Sequence, residues 1–453
     1  MIFPQPLLIL IALLIPLFLI FKNRHQNLIQ WIGFICVVDI FNSQQYLNLS
    51  AFKLAGFILI PYIIKDYKLL LTSKPFKILL VYFLYLCLLG CYFGIINPWV
   101  DPIKIRVFKD LSLARSILHL GSLFLELIVI LYLSLNFKKN ENIDHFFYAV
   151  FAGILFINFG AILEYFFRID LYKFFTNGSP MLLMFDRPRG FTYEPRGLAQ
   201  NTAIGILLSY FYINHIKNKK FLFIFIPLFL IIIYFGLIKA MSTTGYITLF
   251  LGTITIFISQ LYLKQISLNK KTICIFFSII VLFPSIYFLM PEQTQKRYIK
   301  HFTTRNSLLL KTELIERFED QEAAAINFFI QNPRYSFLGT GPGLIYIPSV
   351  AYRIDKYLHI DTDKNNQFNY LPHMGSILQF SNSGIIGCIF LFFLIRLCIL
   401  ELKKTKKDYL SIFLLLTTLY FFQIRLIYYA GLALGLSRTF NFKKRNDLKN
   451  KLS

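Results

Sequence analysis

Apolar runs near the roughly 20-residue length that carries an α-helix across a bilayer recur from one end of this chain to the other. The core helices of a water-soluble domain need apolar stretches of only about 10–14 residues. Here the runs lie near 5–21, 28–44, 49–64, 76–98, 117–136, 147–165, 198–215, 221–239, 245–263, 272–290, 373–399 and 409–428, followed by a half-length tract, Leu426 to Leu436. The 453 residues are 56% AVILMFWYC and 15% charged, with a mean hydropathy of +0.59. An ordinary soluble domain is excluded. The expectation is an all-α polytopic membrane protein with about 12 transmembrane helices. The first run, Leu7 to Ile20, has no basic segment before it and no small-residue cleavage site before Lys22, so it reads as a retained helix.

The chain holds 47 Lys+Arg against 23 Asp+Glu, a formal charge of +24. In a soluble protein that excess points to nucleic acid. In a spanning protein the cytoplasmic loops collect it, and anionic lipid attracts it, so the expected partner is the membrane and not nucleic acid. Lys22 and Arg24, Lys65, Lys68 and Lys74, Lys138 and Lys139, Lys217, Lys219 and Lys220, Lys264, Lys270 and Lys271, and Lys403, Lys404, Lys406 and Lys407 fall between alternate runs, which assigns those short loops to the cytoplasm. The basic tail 441–453 fits the same side only if Leu426–Leu436 adds a crossing or an N-terminal run makes none. The six cysteines all sit in apolar segments with no CxxC pair, and read as buried small hydrophobes.

This division gives a first unit, 1–290, with ten helices and outer loops 99–116 and 166–197; an extracytoplasmic lid, 291–372; C-terminal helices over 373–440; and the tail. In the lid, Leu308, Leu309, Thr312, Ile315, Phe318 and Ala323 recur at helical spacing up to Asn332-Pro333, where proline disfavours a helical predecessor. The two faces differ in the kind of cation. The inner loops and tail hold 22 basic residues, 20 of them Lys; the three outer loops hold 19, of which 11 are Arg. Any cation satisfies the inside bias, whereas guanidinium is a planar fork that grips phosphate or carboxylate with two bonds. An outward-facing anion site follows, with solvated surface arginines as the plain alternative.

Three segments could carry chemistry. Asp186-Arg-Pro-Arg-Gly-Phe-Thr-Tyr-Glu-Pro-Arg-Gly-Leu-Ala-Gln200 places Arg187, Arg189, Arg196 and Glu194 in a Pro/Gly-shaped loop just before a membrane helix. Such backbone is tolerated at that depth where it lines a cavity, and its alternative is a turn with snorkelling arginines. Pro372-His-Met-Gly-Ser-Ile-Leu-Gln-Phe-Ser-Asn-Ser-Gly-Ile-Ile-Gly387 puts His373 at the outer start of a helix, suited to take a proton from a hydroxyl, with Gln379 and Asn382 deeper. Gly339-Thr-Gly-Pro-Gly343 lacks the Lys-Ser/Thr of a nucleotide loop and reads as a tight turn. Glu126, inside an apolar run, is a functional candidate by its position, or else a packing partner of Arg115. No metal-ligand pattern is present in the sequence.

The order of "RPRGFTYEP", "RFEDQEAAAINFFIQNPRYSFLGTGPG" and "PHMGSILQFSNSGIIG" over residues 185–390 resembles the O-antigen polymerase and O-antigen ligase family of bacterial envelope glycosyltransferases. The resemblance implies a GT-C-like helical fold in the bacterial inner membrane, with its active site facing the periplasm and no cofactor or metal. It implies a substrate of polyprenyl-pyrophosphate-linked oligosaccharide and, as a further partner, a chain-length regulator protein. It implies that His373 activates the acceptor hydroxyl and that Arg189 and Arg317 hold pyrophosphate, with Arg187 and Arg196 beside them. Ser242-Thr-Thr-Gly245 stands where family ligases carry a basic residue, and Met374 where the family commonly has Asn. The implied activity is polymerisation of lipid-linked repeat units of a surface polysaccharide. The alternatives are a ligase that transfers finished glycan to lipid A core or protein, and a transporter of the same lipid.

Overall fold

The computed structural model describes residues 5–42, 50–96, 112–176, 187–212, 232, 234–240, 242–263, 295, 320–345, 374–405 and 407–440. Among them the secondary structure is helical, without strands. In chain order the helices are α1 (Gln5–Phe21), α2 (His25–Ile35), α3 (Ala51–Lys65), α4 (Tyr67–Leu70), α5 (Lys74–Ile96), α6 (Ser112–Asn136), α7 (Asn140–Phe167), α8 (Leu171–Thr176) and α9 (Pro195–Tyr212). After a π-helical turn at Tyr234–Lys239 come α10 (Thr243–Tyr262), α11 (Asp320–Gln331), α12 (Arg334–Leu338), α13 (Gly375–Leu402), α14 (Lys407–Phe422) and α15 (Tyr429–Ser437). The expected runs 221–239, in most of its length, and 272–290 lie outside the described residues, as do 308–319 of the expected lid helix. The part of that helix that is described, α11, ends at Gln331, before Asn332-Pro333.

Five described helices are long and apolar enough to cross a bilayer: Lys74–Ile96, Ser112–Asn136, Asn140–Phe167, Thr244–Tyr262 and Gly375–Leu402. Their outer faces support the same reading. Leu84, Leu88, Tyr92 and Ile95 of α5, and Ile389, Phe392 and Phe393 of α13, stand exposed. A water-soluble fold does not leave rows of large apolar side chains uncovered along whole helices. The protein is an all-α membrane protein. The cysteines correct one expectation: Cys36 and Cys398 are buried, but Cys91 and Cys388 are exposed on α5 and α13, because in a bilayer an apolar side chain gains as much facing lipid as facing the interior.

The helices pack in neighbouring pairs: α2 on α7, α3 and α5 on α6, α9 on α10, α10 on α14, α13 on α5, and α15 on both α6 and α14. Small residues set the closest approaches. A side chain at Gly56 of α3 would come within 2.9 Å of the Leu125 carbonyl carbon on α6, so this contact needs glycine.

Two expected runs are interrupted. The run 28–44 stops as a helix at Ile35 and turns through Asp39–Phe41. The run 409–428 ends at Phe422, and after a short turn α15 returns the chain along α6 and α14. At the far end of α15, Thr439 Oγ1 lies 2.5 Å from Ser73 Oγ, Arg438 donates to Asn140 Oδ1 at 2.9 Å, and its guanidinium lies 5.0 Å from the Tyr409 ring. That end therefore sits with the starts of α5, α7 and α14, beside Lys74, Lys139 and Lys407.

Candidate functional site

At the opposite end of the bundle the loop 187–194 is held from beneath by two carboxylates. α7 ends where Arg168 adopts φ +54°, which turns the chain so that Asp170 follows at once. Arg189, 4% exposed, donates from Nη2 to Asp170 Oδ1 at 2.7 Å and Oδ2 at 2.6 Å, and from Nη1 to the Tyr193 carbonyl at 2.9 Å. Its guanidinium also lies 5.0 Å from the Tyr172 ring. Glu164 Oε2, near the end of α7, accepts the backbone N–H groups of Arg189 at 2.8 Å and Gly190 at 2.5 Å. Phe191 stacks on Phe156 with centroids 4.4 Å apart. The loop is thus a fixed shape whose interior arginine is already occupied.

Its other arginines lie closer to the surface. Arg187 donates from Nε to the Ala240 carbonyl at 3.2 Å, and Arg196 lies 3.8 Å from Glu194 Oε1 with 28% of its side chain exposed. A further guanidinium joins them from the turn after α14. Arg425 donates to Gln200 Oε1 at 2.8 Å and stands 3.6 Å from Asp39 Oδ2, which also accepts the Tyr193 N–H at 3.1 Å. Gln200 in turn bonds Gln423. A side chain at Gly197 would come within 3.0 Å of Arg425 Nη2 and 3.1 Å of Asp39 Oδ2, so glycine here lets the first turn of α9 lie directly on this pair.

Below this mouth the interior is polar. Glu126 accepts from Tyr429 Oη at 2.9 Å and from Ser122 Oγ at 3.3 Å, and Lys53 of α3 acts electrostatically on both Glu126 and His119. The expected packing pair Arg115–Glu126 does not form: the two are eleven residues, about 16 Å, apart along α6, and Tyr429 of α15 takes the carboxylate instead. From Tyr429 the polar line continues through Tyr420, whose ring centroid is 6.1 Å away, to Gln379, bonded at 2.5 Å, and Tyr82, which donates to Gln379 Oε1 at 2.7 Å.

The segment expected as a tight turn does turn, at 342–345, and it is buried. α13 breaks at Gly384, with φ +60° and ψ −161°, and Gly339 presses against the break. Thr340 donates from its N–H and from its hydroxyl to the Ser381 carbonyl at 2.7 and 3.0 Å, and the Gly341 N–H donates to the Asn382 carbonyl at 3.2 Å. Arg115 borders the same loop, its carbonyl 3.6 Å from where a Gly343 side chain would start.

Of the residues expected from sequence, Arg187, Arg189, Glu194 and Arg196 come together, while Arg115 and Glu126 belong to the interior of α6. His373 and Arg317 lie outside the described residues. Next to His373 in the chain, Met374 donates its N–H to Glu322 Oε1 at 3.2 Å. Sequence reading missed Asp39, Lys53, Glu164 and Arg425; for all four the signal was a lone charge inside an apolar run. Compared with known proteins, the chain matches no family model, no curated protein and no solved structure.

Proposed function

We propose that this protein is a metal-independent glycosyltransferase that lengthens a surface polysaccharide by joining polyprenyl-pyrophosphate-linked repeat units at the outer face of a bacterial inner membrane. The observation that carries the reading is the preset arginine loop: Glu164 and Asp170 lock residues 189 and 190, so that Arg187 and Arg196 stand at the mouth near Arg425. When the sugar–phosphate C–O bond breaks, negative charge grows on the departing pyrophosphate. Guanidinium groups positioned in advance stabilise that charge without reorganising. A base takes the proton of the attacking hydroxyl; His373, next to Met374 in the chain, is assigned that role on the family resemblance. In this topology the N-terminus is outside, the fold is GT-C-like, and α15 supplies an odd crossing that puts the basic tail in the cytoplasm.

The test is glycan lengthening by the purified full chain in nanodiscs supplied with lipid-linked repeats. Arg196→Ala and Arg425→Ala should each slow it about 100–1,000-fold, as loss of a preorganised donor does elsewhere. Rates within a few-fold of wild type, at equal protein, would overturn the assignment. A second reading has its own support: a broken helix beside buried non-helical backbone, and charges in the apolar interior, are features of transporters. A transporter would move the lipid-linked unit between leaflets in the same nanodisc lipids reconstituted as vesicles, without lengthening it.

A further inference from the structure

Arg189 and Arg425 spend their donors differently. Arg189 uses both Nη groups, on Asp170 and on the Tyr193 carbonyl. Arg425 is held at its stem instead: Nε donates to Gln200 Oε1 at 2.8 Å, while Asp39 Oδ2 stands 3.6 Å from Nη1, beyond hydrogen-bond length. Among the described residues neither Nη group of Arg425 makes a hydrogen bond, and 17% of its side chain is exposed. Gly197 keeps the space beside that fork clear, since a side chain there would begin 3.0 Å from Nη2 and 3.3 Å from Nη1.

The anchor is built from three stretches of chain. Gln200, fully buried on α9, accepts from Arg425 and donates from Nε2 to Gln423 Oε1 in the turn after α14. That second bond fixes which end of the Gln200 amide faces the guanidinium: turned over, its NH2 would meet Nε with donors on both sides and no acceptor. Next to Gln200, Asn201 donates to the Val37 carbonyl at 2.9 Å, which ties α9 to the segment carrying Asp39, and the Tyr193 N–H holds the Asp39 carboxylate at 3.1 Å. A glutamate at 200 would hold Nε equally well but add a second carboxylate beside Asp39. The neutral amide orients the cation and leaves its fork for an incoming anion.

We infer that Gln200, locked by Gln423, is a positioning residue that presets the Arg425 fork for pyrophosphate at the mouth; this rests on the reading of the mouth as a pyrophosphate site. An arginine on a free arm loses rotamer freedom when it grips an anion. One anchored beforehand by its Nε has little left to lose, so the fork meets the charge without rearranging.

The experiment uses the full chain in nanodiscs and reads the thermal unfolding midpoint against inorganic pyrophosphate, since a ligand that binds only the folded state raises that midpoint. Pyrophosphate should raise it in wild type, and Gln200→Met and Gln423→Met should each weaken the apparent affinity about tenfold, the size expected for one lost hydrogen bond to a charged group. Gln260→Leu, which removes a buried amide bonded to Ser411 at 3.3 Å at the far end of α10, should leave it unchanged. Methylguanidinium added to Arg425→Ala separates positioning from packing. It should restore pyrophosphate binding while Gln200 is present, and fail to do so in the double variant Arg425→Ala with Gln200→Met. If Gln200→Met does not fold, Gln200→Asn, which keeps a buried amide on a shorter arm, takes its place. A wild type unmoved by pyrophosphate, Gln200 and Gln423 variants that bind like wild type, or a restoration that is absent or independent of Gln200 overturns the inference. The expected binding pattern in a protein that lengthens no glycan leaves the positioning role standing and removes the polymerase reading; lengthening by Gln200→Met at the wild-type rate does the opposite.

Discussion

Arg189 shows how residue type and role separate. Its guanidinium and the Asp170 carboxylate are 4% and 7% exposed, so each charge depends on the other. Removing one partner of a buried pair costs about 3–5 kcal/mol, because the survivor stays buried and uncompensated, whereas replacing both with apolar groups is much milder. Arg189→Ala should therefore lower the unfolding midpoint sharply, and the double variant Arg189→Met with Asp170→Ala should recover most of the loss in the same calorimetric scan. A double variant as unstable as the single would show that the pair is not what holds the loop. Three arginines in a short Pro/Gly loop were plain in the sequence, but which of them turns inward was not. Asp170 is 19 residues upstream, on the far side of a helix, and nothing local marks it as the partner.

At the scale of elements, the break in α13 is the least forgiving feature. Gly384 holds φ +60° with ψ near −161°, a region essentially closed to other residues, and a side chain there would collide with Phe337 and Gly339 backbone. Gly384→Ala should straighten α13 and expel residues 339–345, read as new protease cleavage in that segment, while Gly121→Ala on α6, where a side chain would meet nothing within 4 Å, should leave the cleavage pattern unchanged. Element existence was legible because the runs are long. Boundaries failed where a charge interrupted an apolar run: Asp39 ends the helical stretch expected to continue to 44, since its carboxylate serves Tyr193 and Arg425 instead of facing lipid. The turn at 339–345 was legible from its glycines, but its docking was not, because the Ser381 and Asn382 carbonyls that accept from Thr340 and Gly341 belong to the distant α13.

For the whole molecule, the end of α15 meets Ser73, Asn140 and Tyr409, beside the basic loops that loop charge assigns to the cytoplasm, and the proposed topology puts the tail on that side. A fluorescent protein that matures only in the cytoplasm should glow when fused after residue 453, and should go dark when fused after Gln423; the reverse pattern would invert the topology. The same view of the molecule gives the interlocked glycines a mechanical meaning. Gly339 and Gly384 mesh like two teeth, with Thr340 and Gly341 clasped to Ser381 and Asn382. The outer stub of α13 is thereby geared to α12 and not to its own lower half. Any opening at this end must pivot at Gly384, so hydrogen–deuterium exchange should find 335–345 and 375–383 opening in step, with the remainder of α13 still protected.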